Sequence, residues 1–184
     1  MRRVWRTLLL VIVGYLSQVC IMPYLAVLGI TPNLLFALIA VVTVAYSKFY
    51  TFGMACTAGI LTEVMTGSLP NLYLIAYPAI AQLGSLIFSD KTERRLEQER
   101  SQGRLGINRN PLLRTLLCVA FNMVWFEAIH LMYIYLSGVD LGWLHFGRAA
   151  WSVAYTCAVT GIVMLPVRKF LGLYSRRERV KAAG

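Results

Sequence analysis

Residues 31–50 read TPNLLFALIAVVTVAYSKFY, a polar turn that leads into an apolar run. Residues 31–33 are typical of a turn, and the run that follows them covers residues 34–46 without a charge. Beyond Lys48 a second apolar run covers residues 49–65. Together the runs hold roughly 30 residues, more than the roughly 20 that one membrane-spanning helix needs. The stretch therefore predicts two short spans joined by a tight turn near Lys48.

The composition of the whole chain favours a membrane protein. Charged residues make up 14% of its 184 residues, against roughly 25% in soluble domains. Hydrophobic residues make up 58%, and the mean hydropathy is +0.64. Six spans at roughly 20 residues each would leave about 64 residues for loops and ends. That remainder excludes a separate soluble catalytic domain.

Six apolar stretches predict an all-α polytopic membrane fold of six transmembrane helices in a single domain. The spans cover about 8–28, 33–47, 51–67, 71–89, 111–137 and 143–167. A charged loop is expected at 90–110 and a basic tail at 168–184. Proline lacks a backbone N–H and distorts a helix interior, so Pro78 predicts a kink in the fourth span.

The positions of Lys and Arg predict the orientation. They form blocks at the N-terminus, at 91–114 and from residue 168 onward, and such blocks gather on the cytoplasmic side. Four and then two spans between the blocks satisfy this rule. Both termini are then cytoplasmic, and every Lys and Arg except Arg148 lies on the cytoplasmic side. The net charge of +10 fits attraction to anionic lipid headgroups, and no nucleic-acid partner is expected.

Three charged residues fall inside predicted spans: Glu63, Glu127 and Arg148. Charges at membrane depth are costly and usually face a partner or water. We hypothesise that Arg148 pairs with Glu63, with Glu127 or with both, forming a polar lock in the outer half of the bundle. The alternative is that Arg148 reaches the membrane surface while Glu63 is protonated and hydrogen-bonded.

Motifs for catalysis or metal binding are weak. Glu127 and His130 form a Glu-x-x-His pair of the kind that di-iron helix bundles use, but such a site needs a second pair and further carboxylates. The one other histidine, His145, lies near the end of the sixth span. Phosphate-binding and nucleophile motifs do not occur in the sequence. We therefore expect a protein without enzymatic activity, catalytic residues, metal or cofactor.

Small residues recur at helical spacing on two spans, which is how helices approach closely in lipid. We expect these seams to hold the protein's own bundle together, and the alternative is contact with a partner's helix. The seam residues are Ala55 and Gly59 on the third span and Gly147, Ala150, Ala154, Ala158 and Gly161 on the sixth.

Residues 30–80 resemble the MreD family of rod-shape-determining proteins, and the rest of the chain resembles it in size and six-span plan. The matching elements are Thr31-Pro32-Asn33-Leu34-Leu35-Phe36, Gly53, Gly59, the acid Glu63, Gly67-Ser68-Leu69 and Asn71-Leu72-Tyr73-Leu74-Ile75. The chain departs from the family in having Glu63 where Asp is usual, a glycine spacing of six rather than four, and Pro70 in place of a glycine.

The resemblance implies a non-enzymatic inner-membrane subunit of the cell-elongation complex, which determines cell shape and organises peptidoglycan synthesis. The implied partners are MreC, the actin-like MreB, the RodA glycosyltransferase and a class B penicillin-binding transpeptidase. It also implies a fold similar to the substrate-binding subunits of energy-coupling-factor transporters. The alternative function is therefore a vitamin-binding subunit, although the first span, with Ala26 as its one alanine, lacks the Ala-x-x-x-Ala docking motif of such subunits.

Overall fold

The computed structural model describes residues 2–46, 48–66, 72–89 and 111–172, and over these ranges the protein is all-helical. The α-helices in these ranges are α1 (Arg2–Cys20), α2 (Leu34–Ala45), α3 (Lys48–Thr66), α4 (Leu72–Phe88), α5 (Pro111–Leu136) and α6 (Trp143–Phe170). The predicted all-α fold is confirmed for this part of the chain. The predicted loop at 90–110 and the tail beyond residue 172 lie outside the described residues.

Helices α2 to α6 agree with the predicted spans to within three residues at either end, but α1 does not. It begins at Arg2 and ends at Cys20, whereas the first span is predicted to run from 8 to 28. Pro23 has no N–H to donate to the helix, and the chain enters a short 3₁₀ helix, Met22–Leu25. Residues 21–33 are therefore an irregular connection between α1 and α2.

Helix α2 lies at the centre of the bundle. It packs against each of the other five α-helices of the described ranges, and residues 34–44 are all buried. A helix that is apolar on every side is stable only when it is covered on every side. The stretch 31–50 thus contains the element around which the other helices are arranged.

Helices α5 and α6 are long and apolar enough to cross a membrane. Leu112–Leu136 and Trp143–Phe170 each have a mean hydropathy of 1.6, and 28% of the apolar stretch of each is buried. Most of their apolar surface therefore faces outward, unlike that of a core helix in a soluble protein. Helices α1, α2 and α4 contain shorter apolar stretches. That six helices span the membrane stays a prediction.

Small residues bring α3 and α4 into close contact. Ala55 on α3 is fully buried, and a Cβ placed on Gly59 would lie 2.8 Å from the carbonyl oxygen of Tyr73 on α4. The predicted seam on α3 thus lies between two helices of this bundle. Pro78 lies inside α4, which continues through it, and the predicted kink there stays a prediction.

Replacing Gly59 by alanine should destabilise the protein, because the new Cβ would push against the α4 backbone. Overpacking of this kind costs about 1–3 kcal/mol. Gly53→Ala on the same helix is the matched control: its Cβ meets nothing within 4 Å, and replacing a helical glycine gains about 0.5–1 kcal/mol. Thermal unfolding in detergent measures both, and a G59A variant as stable as G53A would contradict the α3–α4 contact.

Candidate functional site

The connection between α1 and α2 is held by a side chain of α1. Gln18 donates from Nε2 to the carbonyl oxygen of Pro32 at 3.1 Å and accepts at Oε1 from the backbone N–H of Leu34 at 2.7 Å. The first N–H groups of a helix lack partners within the helix. Gln18 therefore supplies one of the partners that α2 needs in order to begin inside the bundle.

Asn33 joins three helices at the same point. Its Oδ1 accepts from the backbone N–H of Phe36 at 3.3 Å and so caps α2. Its Nδ2 donates to the hydroxyl oxygen of Tyr77 on α4 at 3.1 Å, and its backbone N–H donates to Oγ1 of Thr156 on α6 at 3.1 Å. We call Gln18 and Asn33 with these partners the α2 junction. From the sequence alone, Asn33 is predicted only to be a turn residue.

A cavity of about 310 Å³ opens beside the α2 junction. The connection before α2 forms one wall, the second half of α5 another and the first half of α6 a third. Its volume is at the lower end of the range for small-molecule sites, about 300–1,000 Å³. Its polar lining consists of Gln18, Thr31, Asn33, Glu127, His130, His145, Arg148 and Ser152.

The cavity contains two of the three charged residues that the sequence singled out. Glu127 lines it from α5 and Arg148 from α6. Within the described ranges, neither side chain has a hydrogen bond or an ion pair. The buried Nδ1 of His145, on the same wall as Arg148, also has no hydrogen-bond partner there. The predicted direct pairing of Arg148 with Glu127 is thus replaced by two unpaired charges that face a common space.

Glu63 lies elsewhere, and the hypothesis of a three-residue lock is corrected on this point. Its Oε2 accepts from the backbone N–H of Tyr73 at 2.9 Å, in the first turn of α4. A carboxylate at a helix N-terminus accepts a hydrogen bond from an N–H that has no partner within the helix. Its negative charge also interacts favourably with the positive end of the helix dipole. Its helix, α3, packs against α1, α2 and α4, and Glu63 does not line the cavity of Arg148. Apolar patterning could not reveal this cap, because it depends on the residue at which α4 begins.

A second cavity of about 320 Å³ adjoins the first, and aromatic rings cluster where the two meet. Phe126 lines both cavities and lies 5.1 Å from Phe36 and 6.2 Å from Tyr73, measured between ring centroids. Phe36 in turn stacks on Tyr77 at 4.5 Å. The rings come from α2, α4 and α5, so the spacing along any one helix does not predict their contact.

An apolar groove of about 370 Å³ adjoins the first cavity on the surface of the bundle. Ile30 and Arg148 line both spaces. Arg148 therefore lies at the boundary between a polar cavity and an apolar groove. The remaining lining of the groove is Leu28, Trp143, Leu144, Gly147 and Trp151.

The small residues of α6 lie on the face opposite its contact with the bundle. Ser152, Thr156 and Thr160 form the buried face, and at about 100° per residue Ala154 lies about 200° around the helix from Ser152. Gly147, Ala150, Ala154 and Ala158 are exposed, and Gly161 is half-exposed. The expectation that the α6 seam holds the protein's own bundle together is therefore wrong. We call this surface the small-residue face of α6.

Metal chemistry gains no support from the geometry of the described residues. No group of three or more His, Cys, Asp or Glu side chains in that part of the chain could hold a metal ion. Glu127 and His130 share the cavity with His145 but do not form such a group with it. The four cysteines are free thiols that lie on separate helices.

Removing the Asn33 side chain should destabilise the bundle, because α2 loses its cap and its bond to Tyr77. We expect Asn33→Ala to lower the free energy of unfolding by about 1–3 kcal/mol. Tyr77→Phe should cost less once Asn33 is gone, since the two share one hydrogen bond. Tyr135→Phe, at an exposed hydroxyl without a partner, is the control. Additive losses for the Asn33 and Tyr77 substitutions in detergent unfolding would contradict the junction.

Comparison of the chain with protein-family models, curated proteins and solved structures gives no significant match. Function must therefore be inferred from what the fold brings together. Three features stand out: a polar cavity with two unpaired charges, an apolar groove that meets it at Arg148, and an outward-facing surface of small residues on α6.

Proposed function

We propose that this chain is a non-enzymatic inner-membrane subunit of the bacterial cell-elongation complex. In that role it helps determine cell shape and organises peptidoglycan synthesis through contacts with other membrane proteins. The observation that carries the proposal is the small-residue face of α6, which is largely exposed in the part of the chain that the structure describes. The choice of the cell-elongation complex rests on the resemblance of residues 30–80 to the MreD family.

The exposed apolar surface supports the proposed multi-pass location in the plasma membrane. Large apolar side chains are exposed on α1, α3, α4, α5 and α6, and examples are Leu9, Val64, Ile87, Val124 and Ile162. Soluble monomers rarely expose apolar patches beyond a few hundred Å², whereas lipid favours such surfaces. The Lys and Arg blocks then orient both termini toward the cytoplasm.

The small-residue face suits a transmembrane helix of a partner. In lipid, helices associate where small residues allow backbones to approach and van der Waals contacts to form. A Cβ on Gly147 or on Gly161 would meet nothing within 4 Å, so both ends of the face are open. The partners with membrane helices in this proposal are MreC, RodA and the class B transpeptidase, and MreB would be reached from the cytoplasmic side.

Larger side chains on this face should weaken the complex without unfolding the protein. We expect Ala154→Leu and Ala158→Leu each to reduce copurification of the MreC-type subunit about tenfold or more, because the leucine holds the helices apart. Ala79→Leu and Ala128→Leu, at exposed positions on α4 and α5, should have no effect. Equal recovery of the partner with all four variants would exclude the α6 face as the contact.

The cavities favour a second candidate, the substrate-binding subunit of an energy-coupling-factor-type vitamin transporter. Two spaces of about 310 and 320 Å³ adjoin the α2 junction, and both have polar and aromatic walls. A vitamin-binding subunit should retain its ligand on purification.

Depletion of the protein separates these functions. The proposed function predicts rounded cells with an unchanged vitamin requirement, and a purified protein from which denaturation releases no vitamin. Normal rod shape together with a new vitamin requirement would favour the transporter instead. Mass spectrometry of the denatured protein and microscopy of the depleted cells provide the two readouts.

A further inference from the structure

The polar cavity and the apolar groove lie side by side and share Ile30 and Arg148 in their lining. The cavity presents the polar groups of Glu127, His130 and Ser152, and the groove presents Leu28, Trp151 and other apolar side chains. Arg148 lines both. A molecule that filled both spaces would therefore need a polar end and an apolar end.

The charges define the polar end. Arg148 offers a guanidinium, which binds phosphate with paired hydrogen bonds, and Glu127 offers a carboxylate across the same cavity. Neither has a protein partner within the described part of the chain. Arg148 is exposed and Glu127 is half-buried, so both are accessible to a bound headgroup. A headgroup with one negative and one positive group would compensate both, whereas a purely anionic headgroup would be repelled by Glu127.

We propose that this site binds a phospholipid with a phosphate and a primary ammonium in its headgroup, of the phosphatidylethanolamine type. The phosphate lies on Arg148, the ammonium on Glu127, and an acyl chain fills the groove. His145 lines the headgroup cavity with an Nδ1 that has no protein partner in the described residues. Trp143 and Trp151 in the groove wall are residues typical of the membrane interface. The inference rests on the proposed membrane location but not on the cell-elongation complex.

Native mass spectrometry of the full-length protein in detergent tests the headgroup. The probes are phosphatidylethanolamine, phosphatidylglycerol, which lacks the ammonium, and glycerophosphoethanolamine, which lacks the chains. We expect the protein to prefer phosphatidylethanolamine over phosphatidylglycerol about tenfold, as one charge-assisted hydrogen bond provides. Glu127→Gln should abolish this preference. Arg148→Gln should weaken the binding of both lipids about tenfold, and Arg148→Lys should retain part of that binding.

A glycine pair tests the groove. Gly147→Leu should reduce retention of phosphatidylethanolamine about tenfold, because the leucine side chain occupies the groove. The substitution should not disturb the fold, since a Cβ on Gly147 meets no other atom within 4 Å. Gly161→Leu is the matched control, on the same helix in equally open space but outside the groove. Helical circular dichroism in detergent selects the variants that fold. If a charge variant does not fold, comparison of G147L with G161L still tests whether the groove binds the lipid.

Three results would overturn the proposal: equal binding of the two lipids, loss of lipid in G161L as large as in G147L, or glycerophosphoethanolamine bound as well as the whole lipid. The last result would assign the cavity to a free zwitterionic molecule. Because these measurements use the purified protein alone, they are independent of the partner contact on α6. Loss of that contact with retained lipid preference would contradict the proposed complex and leave the lipid site intact.

Discussion

A helix that is apolar on every side can be fixed in register only at its ends, and α2 is such a helix. Asn33 caps it and at the same time bonds to α4 and α6, while Gln18 bonds to the backbone on either side of the cap. These bonds run between groups that would otherwise be unsatisfied away from water, where each missing bond is costly. The packing of the other helices depends on this junction, since every one of them in the described ranges contacts α2.

The same junction creates the candidate site. The end of α1 at Cys20 leaves residues 21–33 as a connection to α2 that is mostly exposed. In a membrane, irregular backbone is tolerated where it is buried in protein or lines a cavity. Here most of the connection is exposed, and Gly29, Ile30 and Thr31 line the cavity that Glu127 and Arg148 also line. The unpaired charges therefore follow from how the central helix begins.

The sequence predicts the helices well, because turn residues and charges interrupt the apolar runs at their ends. It does not by itself predict which helix lies at the centre, since an apolar span can face either lipid or protein. It also does not tell the two seams apart. The small residues of α3 face α4, and those of α6 face outward, yet their spacing is alike.

The sequence places Glu63 and Arg148 in the same outer half of the bundle, but depth carries no information on which helices are neighbours. Helix α3 packs against α4, and α6 packs against α2 and α5. Glu63 thus caps α4, while Arg148 lines the same cavity as Glu127. The predicted end of the first span differs from that of α1 for a local reason: the 21–28 stretch is apolar, but Pro23 removes a helical donor.

The central claim is that the outward face of α6 contacts a partner's membrane helix in the cell. Photocrosslinking in living cells tests it most directly, with a photoreactive residue placed at successive positions from 150 to 161. The proposed function predicts adducts with an MreC-type subunit at Ala150, Ala154 and Ala158, and none at the buried Thr156. Adducts with lipid alone along the whole face, or adducts with no helical periodicity, would contradict it.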